Sequence, residues 1–508
     1  MGLGRHLWGE SARTGVLLAA GALLLGLFLG TPDLQGQEAR WGIICREMIR
    51  SGDYVHPYLF DDEYYDKPLL SYWLMIGASR LVGGLGEWAL RLPGALAALL
   101  TVWTTARLGE RLAGRRAGRL AGWMLLGCSI FVYWARTATA DILNVAAVTA
   151  GAAWYWERRD RPGLLSYGVF FLIMSLGAQM KGLVAPVLLG LILLPDLLRE
   201  KRWKVPLTRV SFYLAAAGGV AVYLVPFLLS GSGSSGAGYQ SSGLLLAIKE
   251  SVGRYFQPFD HKDPPWVYAV YLPLYFLPWT IFLLGALAWA LRRGKGLPRE
   301  LVRTWTALPW TSRWPVLASL LILAFLTLSG SRRNYYILPI LPFMILSAAQ
   351  WVAAAPESSL REKLASGLLV ASGAGLLFLY GIAFPIIARK GGIRLLAGEV
   401  HREAEARAPW TDWEVVVVSA SPQMGFYLDP ARRPHRINLD QPKSLEEILR
   451  AHPHSAVVTQ MKFSKTLAAM LPPSLRVTER SRIPGHLGEP LPDAGGEKEG
   501  HVIFLVSP

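Results

Sequence analysis

The chain has 508 residues, 52% of them apolar, and its 52 Lys and Arg against 36 Asp and Glu leave a net charge of +16. Apolar runs of about 20 residues, enough to cross a bilayer, recur from end to end, which excludes a soluble globular protein and defines a polytopic α-helical membrane protein. The basic excess excludes a nucleic-acid binder, because Lys and Arg fall in short clusters between apolar runs, as positive-inside topology requires.

The first run, Val16 to Leu29, follows Arg5 and Arg13. Gly30-Thr31-Pro32-Asp33 after it has no small-x-small cleavage pattern, so the run reads as a retained first helix rather than a signal peptide. Next comes a polar, aromatic stretch from Asp33 to Lys67, with Glu38, Asp53, Asp61, Asp62, Glu63 and Asp66 among Trp41, Tyr54, Tyr58, Tyr64 and Tyr65. A charge at the bilayer centre costs about 2.5–3.5 kcal/mol on insertion scales, so this stretch belongs at a wet face. Within this first outer loop, residues 32–89, Glu38–Arg50 and Leu69–Leu85 read as amphipathic helices lying in the membrane interface. Further spans are expected near 90–110, 119–135, 141–156, 164–179, 183–198, 208–229, 266–291, 314–330, 337–355 and 365–387. With the first run near 14–31 these make about eleven transmembrane helices.

A cytoplasmic N-terminus puts Arg111/Arg115/Arg116/Arg119, Arg158/Arg159/Arg161, Arg199/Lys201/Arg202/Lys204, Arg292/Arg293/Lys295/Arg299/Arg303 and Arg361/Lys363 inside. The outside then receives Asp33–Lys67, the turns Arg136–Asp141 and Gln179–Gly182, the loop 230–265, the turn Arg332–Tyr336 and everything after residue 388. That last part, 389–508, changes composition. Glu414–Ser419, Ser455–Thr459 and His501–Val506 read as short strands, with helices at Ser444–Arg450 and Ser464–Met470, so a small extracytoplasmic α/β domain is expected after the membrane domain of residues 1–388. Cys45 and Cys128, the two cysteines, give neither a disulfide framework nor a Cys-based metal site.

The outer face collects the chemistry. Glu38 and Asp141 each follow an apolar helix; two carboxylates there can hold a divalent metal or share acid–base work, or simply cap helices and pair with Arg40 or Arg136. Lys67 and Lys181 sit beside Pro68 and Gly182 at helix mouths, where an ammonium suits a phosphate or snorkels to lipid headgroups. Arg332 and Arg333 can grip phosphate oxygens bidentately; Tyr335 and Tyr336 can stack on a sugar or anchor a helix, and anchoring is the better reading of Tyr336. His261, between Asp260 and Lys262, is a metal ligand, a phosphate donor or neither. Cations, acids and rings beside lipid-facing helices suit a lipid-linked phosphorylated substrate.

In order along the chain, GQEARW, CREMIRSGDYVHP, YYDKPLLSYW, ALRLPGAL, ARTATAD, MKG, FDHKDPPWVY, LPWT and SRRNYYILPILP resemble the GT-C fold glycosyltransferases, in particular the bacterial 4-amino-4-deoxy-L-arabinose transferase and protein O-mannosyltransferase-like group, to about residue 387. The resemblance implies an inner-membrane enzyme that moves a sugar from a polyprenyl phosphate to an extracytoplasmic lipid, protein or glycan, probing no nucleic acid and acting as a monomer among membrane lipids. It matches Asp66 and Lys67, after Tyr65, to the family's acid-Lys-Pro motif near the donor phosphate. Asp141 matches its second-loop aspartate, Lys181 its Lys-Gly turn, His261 its outer-loop histidine, and Arg332 or Arg333 with Tyr335 its later basic-aromatic motif.

Gln37 departs from the family, whose aspartate at that position is assigned the catalytic role. Glu38 or Asp66 then takes over the role, or the acceptor is already ionised and Gln37 only orients it, or catalysis is lost in a relative that still binds such lipids. No cofactor is implied with certainty; a divalent metal, if bound, would draw on Glu38, Asp66, Asp141 and His261.

Overall fold

The computed structural model describes residues 14–60, 62–65, 67–229, 253–257, 262–293, 298–390, 392–419, 422–440, 442–471, 476–482 and 501–507. Among them, six helical stretches are long and apolar enough to cross a membrane, and a seventh arises if the helices beginning at Val267 and Thr280, bent by 108°, count as one span. Other expected spans are helical but shorter or more polar: Thr14–Gly26 has 13 residues, Val184–Arg199 has 16 and Asp141–Arg158 has 18. The protein is thus a polytopic helical membrane protein.

The runs near 90–110 and 119–135 form a hairpin. The helical stretch Glu87–Leu126 is broken at Ala113 and Gly114, where Gly114 takes φ 87° and ψ 170°, a conformation open to glycine alone. Beyond this turn the arms touch backbone to backbone: a Cβ on Gly118 would lie 2.3 Å from the Ala106 carbonyl oxygen, and one on Gly109 2.7 Å from the Gly118 Cα. The second arm stops at Gly127, Cys128 is extended, and Ser129–Ala135 resumes as a separate seven-residue helix.

Glu38–Ser51 is a helix, as its amphipathic pattern suggests, but much of its polar side is covered by protein. Glu38, Arg46 and Glu47 are buried with its apolar residues, Arg46 and Glu47 because residues 422–433 cover that part of its polar face. Arg46 donates to the carbonyls of Gly425 and Phe426 and to Asp429, each at 2.8 Å, and Arg433 pairs with Glu47 at 3.1 Å. Leu70–Val82 keeps one face exposed, with Leu81 85% accessible.

After the helix Ile393–Glu405, five strands form a sheet in the order β4-β3-β5-β7-β6. These are β3 (Glu414–Val418), β4 (His435–Ile437), β5 (Ser455–Gln460), β6 (Arg476–Arg482) and β7 (His501–Ser507); the short hairpin β1 (Tyr58–Leu59) and β2 (Asp62–Glu63) belongs to the first outer loop. β3 pairs parallel with β4 and β5, and β7 antiparallel with β5 and β6. Every residue of β3, β5 and β7 is buried except the partly exposed Gln460, so these strands read as continuous apolar runs. Alternation still decides which core each residue joins. Val415, Val417, Ala456, Val458, Ile503 and Leu505 pack with Trp41, Ile44 and Tyr72 of the first outer loop, while Val416, Val418, Val457, Val502, Phe504 and Val506 pack under the helix Pro442–Ala451. One core therefore runs through both the first outer loop and the sheet.

Candidate active site

Arg91 organises the first outer loop. Buried near the start of the helical hairpin, its guanidinium donates to the carbonyls of Leu29, Pro32 and Asp33 and, through Nε and Nη2, to both oxygens of Glu38 at 2.8 Å. Glu38 also accepts from the backbone N–H of Ala138 at 2.7 Å and of Gln35 at 2.9 Å. Each oxygen of a carboxylate only 3% exposed already has two donors. Its four acceptor positions are thus engaged in holding the loop to the bundle. Gln37 beside it is exposed at the helix N-cap and makes no capping bond with its side chain.

The 138 amide that meets Glu38 belongs to the turn that presents Asp141, the first residue of Asp141–Arg158, where the helix dipole favours an acid. Asp141 forms an ion pair with Lys181, the two side chains being 12% and 16% exposed. Lys181 is the last residue of its helix because Gly182 follows at φ 82° and ψ −168°, again glycine-only backbone. The Lys181 ammonium lies 4.9 Å from the Tyr336 ring centroid and 6.0 Å from that of Tyr335. Tyr335 packs on Trp134 at 4.8 Å, and Asp141, Arg333 and Arg40 all lie within electrostatic reach of its hydroxyl. Arg40, one turn along the helix from Gln37, is hydrogen-bonded to the Tyr64 hydroxyl with its guanidinium over the same ring.

Asp141, Lys181, Tyr335 and Tyr336 thus lie together, with Arg333 and Arg40 within electrostatic reach of Tyr335 and Tyr64 bonded to Arg40. Lys67 and Arg333 are half-buried and engaged. The Tyr65 hydroxyl is buried with no hydrogen-bond partner among the described residues, and burial pushes its phenol above the ordinary range, helped by Glu63. Arg332 does not join: it donates to the carbonyls of Asp263, at 2.7 Å, and Ser329 and fastens the outer loop to the end of Trp310–Leu328. Asp66 and His261 lie outside the described residues.

Of the four expected metal ligands, Glu38 is committed to Arg91 and Asp141 to Lys181, and among the described residues no three ligand side chains converge at this face. Both expected ligands that the structure describes are already engaged, and these described donors do not fit a metal here. Arg91 and Arg40 were within reach of sequence reasoning: both lie in the quoted motifs ALRLPGAL and GQEARW, and an arginine entering an apolar helix needs a buried partner. Tyr336, read as an anchor, instead faces the Lys181 ammonium.

Residues 66–229 match the family described as dolichyl-phosphate-mannose-protein mannosyltransferase. An undecaprenyl phosphate-alpha-4-amino-4-deoxy-L-arabinose arabinosyl transferase of Pectobacterium atrosepticum is 29% identical over 353 residues, 65% of this chain and 56% of its own. One of the same description from Pectobacterium carotovorum is 28% identical over 410 residues, 74% of this chain and 66% of its own; the chain thus spans between half and two thirds of these relatives. The crystal structure of ArnT from Cupriavidus metallidurans bound to undecaprenyl phosphate superposes with a TM-score of 0.68 at 18% identity, covering 97% of this chain and 98% of that one. The oligosaccharyltransferase of Archaeoglobus fulgidus follows at 0.53 and 13%, covering 91% of this chain and 71% of that one.

The fold is accordingly that of the GT-C membrane glycosyltransferases. In sequence the chain is similar to aminoarabinose transferases, and the whole-chain superposition includes a protein of the same kind.

Proposed function

We propose that the chain transfers a glycosyl group from a polyprenyl-phosphate-linked sugar to an acceptor at the extracytoplasmic face of a bacterial inner membrane, with an ionised lipid phosphate as the acceptor. The observation that carries this reading is the convergence of Lys181, Arg333 and Arg40 around Tyr335 and Asp141, at the end of the bundle that bears the first outer loop. The basic clusters lie at the other end, where Arg116 meets Glu362 and Arg159 meets Asp196, which supports a cytoplasmic N-terminus.

In the proposed reaction an acceptor oxygen attacks the anomeric carbon. The bond from that carbon to the phosphate oxygen breaks, and the polyprenyl phosphate leaves with the electron pair, inverting the anomeric centre. Negative charge grows on the departing phosphate, where fixed cations lower the barrier most. Lys181, Arg333 and Arg40 supply those cations, Asp141 holds the Lys181 ammonium in place, and Tyr335 and Tyr336 offer faces to the sugar. An acceptor phosphate enters already ionised and needs no base, consistent with a neutral Gln37 and an occupied Glu38 on this face.

Purified protein in lipid should consume undecaprenyl-phosphate-linked aminoarabinose or a related donor in the presence of a lipid A-like acceptor. Lys181→Ala should lower turnover about 10²–10³-fold without loss of folded protein; no turnover with any such pair would sink the proposal. Gln37 favours one competing reading, a binding protein without catalysis. Gln37→Asp separates the two: turnover that exists before the change supports the enzyme, and turnover that appears only after it supports the binder.

A further inference from the structure

Far from the membrane cluster, three potential metal ligands meet on one rim of the sheet. Glu414 is the first residue of β3, His435 the first of β4, and His452 lies in the turn before β5. Because β3, β4 and β5 run parallel, the three residues start neighbouring strands at the same edge, and the Glu414 amide is tied to the His454 carbonyl at 2.9 Å. The Glu414 carboxylate is 3% exposed. Its Oε1 is 3.5 Å from His435 Nε2 and its Oε2 is 4.0 Å from His452 Nδ1, and all three donors lie within 4.8 Å of one another.

We propose that Glu414, His435 and His452 form a zinc-class divalent-metal site whose remaining position opens to solvent. One carboxylate with two imidazoles is a borderline-soft donor set that suits zinc, with copper and nickel as competitors. Bonds of about 2.0–2.2 Å place tetrahedral neighbours about 3.3 Å apart. Closure therefore asks each imidazole to move inward by about an ångström, within the freedom of side chains that are 34% and 35% exposed. The carboxylate, held at a buried strand end, stays still and sets the position. Arg432 sits 3.4 Å from Glu414 Oε2 on a side chain 62% exposed, so it swings outward when a dication arrives. The ion ties together the starts of β3 and β4 and the turn into β5, and this holds whether or not the chain transfers sugars.

The test uses the full chain in detergent, stripped with chelator and titrated with Zn²⁺ alone at neutral pH, beside His435→Gln, His452→Gln and Arg432→Ala. The wild type is expected to bind one equivalent more than either histidine variant. Its Co²⁺ form should show tetrahedral visible bands that both variants lack. Arg432→Ala, which keeps every donor and removes a like charge, should bind Zn²⁺ several-fold more tightly. Equal stoichiometry in wild type and folded histidine variants, absent Co²⁺ bands in the wild type, or unchanged affinity in Arg432→Ala overturns the site and leaves an ion-paired histidine cluster.

Discussion

Gln37 and Glu38 are adjacent, and their environments divide the roles that adjacency alone leaves open. Gln37 is exposed, whereas Glu38 is buried with two donors on each oxygen. Removing one member of a buried ion pair leaves the other charge uncompensated and costs about 3–5 kcal/mol. We predict that Glu38→Ala lowers the unfolding temperature measurably and reduces folded yield, with activity per folded molecule falling only as the loop loosens. If Glu38 were the catalytic acid, turnover per folded molecule would be abolished beyond any loosening of the loop, which thermal unfolding beside a transfer assay would reveal. In sequence, Glu38 shows only that a carboxylate follows an apolar run, because its partner Arg91 lies 53 residues away. Asp141, Lys181 and Arg333 stand out in sequence because each is a charge at the end of an apolar helix on the side away from the basic clusters.

Elements show a similar division. The strands β3, β5 and β7 announce themselves as unbroken apolar runs, since they are covered on both faces. The strands β4 and β6 do not: His435–Ile437 has three residues, and Arg476–Arg482 is a charged edge strand whose pairing with β7 gives no hydrophobic signal. Strand β7 also carries a buried oddity. His501 is 1% exposed, neither ring nitrogen has a hydrogen-bond partner among the described residues, and burial pulls its pKa down to about 4. An unfolded histidine takes up its proton near pH 6.5, so the unfolded chain binds the proton first. Stability is then full above about pH 6.5, falls by about 1.4 kcal/mol per unit as pH drops, and levels off below about 4. We predict that amide exchange in β5 and β7, corrected for intrinsic rates and measured in chelator, loses protection through this window in the full chain. His501→Phe should flatten that acid limb; an unchanged limb would show that other groups cause it.

For the whole molecule, the question is how a sheet outside the membrane bears on a cluster at the mouth of the bundle. The two are joined through the helix Glu38–Ser51, which carries Arg40 toward Tyr335 near its start and Arg46 and Arg50 toward Asp429 further along. Gly42, between them, packs so closely that a Cβ there would lie 2.6 Å from the Phe426 ring and 3.0 Å from Leu90. Tyr427 closes the seam by donating to Glu87 at 2.8 Å and accepting from the Leu34 amide. The composition changes near residue 389, yet the core is continuous across that point: Trp41, Ile44 and Tyr72 have sheet residues as neighbours and would face water without them. Arg46→Ala removes three hydrogen bonds from a guanidinium to groups more than 370 residues away in sequence, and hydrogen bonds to charged groups contribute about 1.5–3 kcal/mol each. We predict that this change, which touches no residue of the cluster around Lys181, raises amide exchange along Glu38–Ser51. It should also lower transfer by impairing the placement of Arg40, with the loss appearing in both kcat and KM. If exchange rises and transfer holds, the seam is a structural fastening alone and Arg40 takes its position from the bundle.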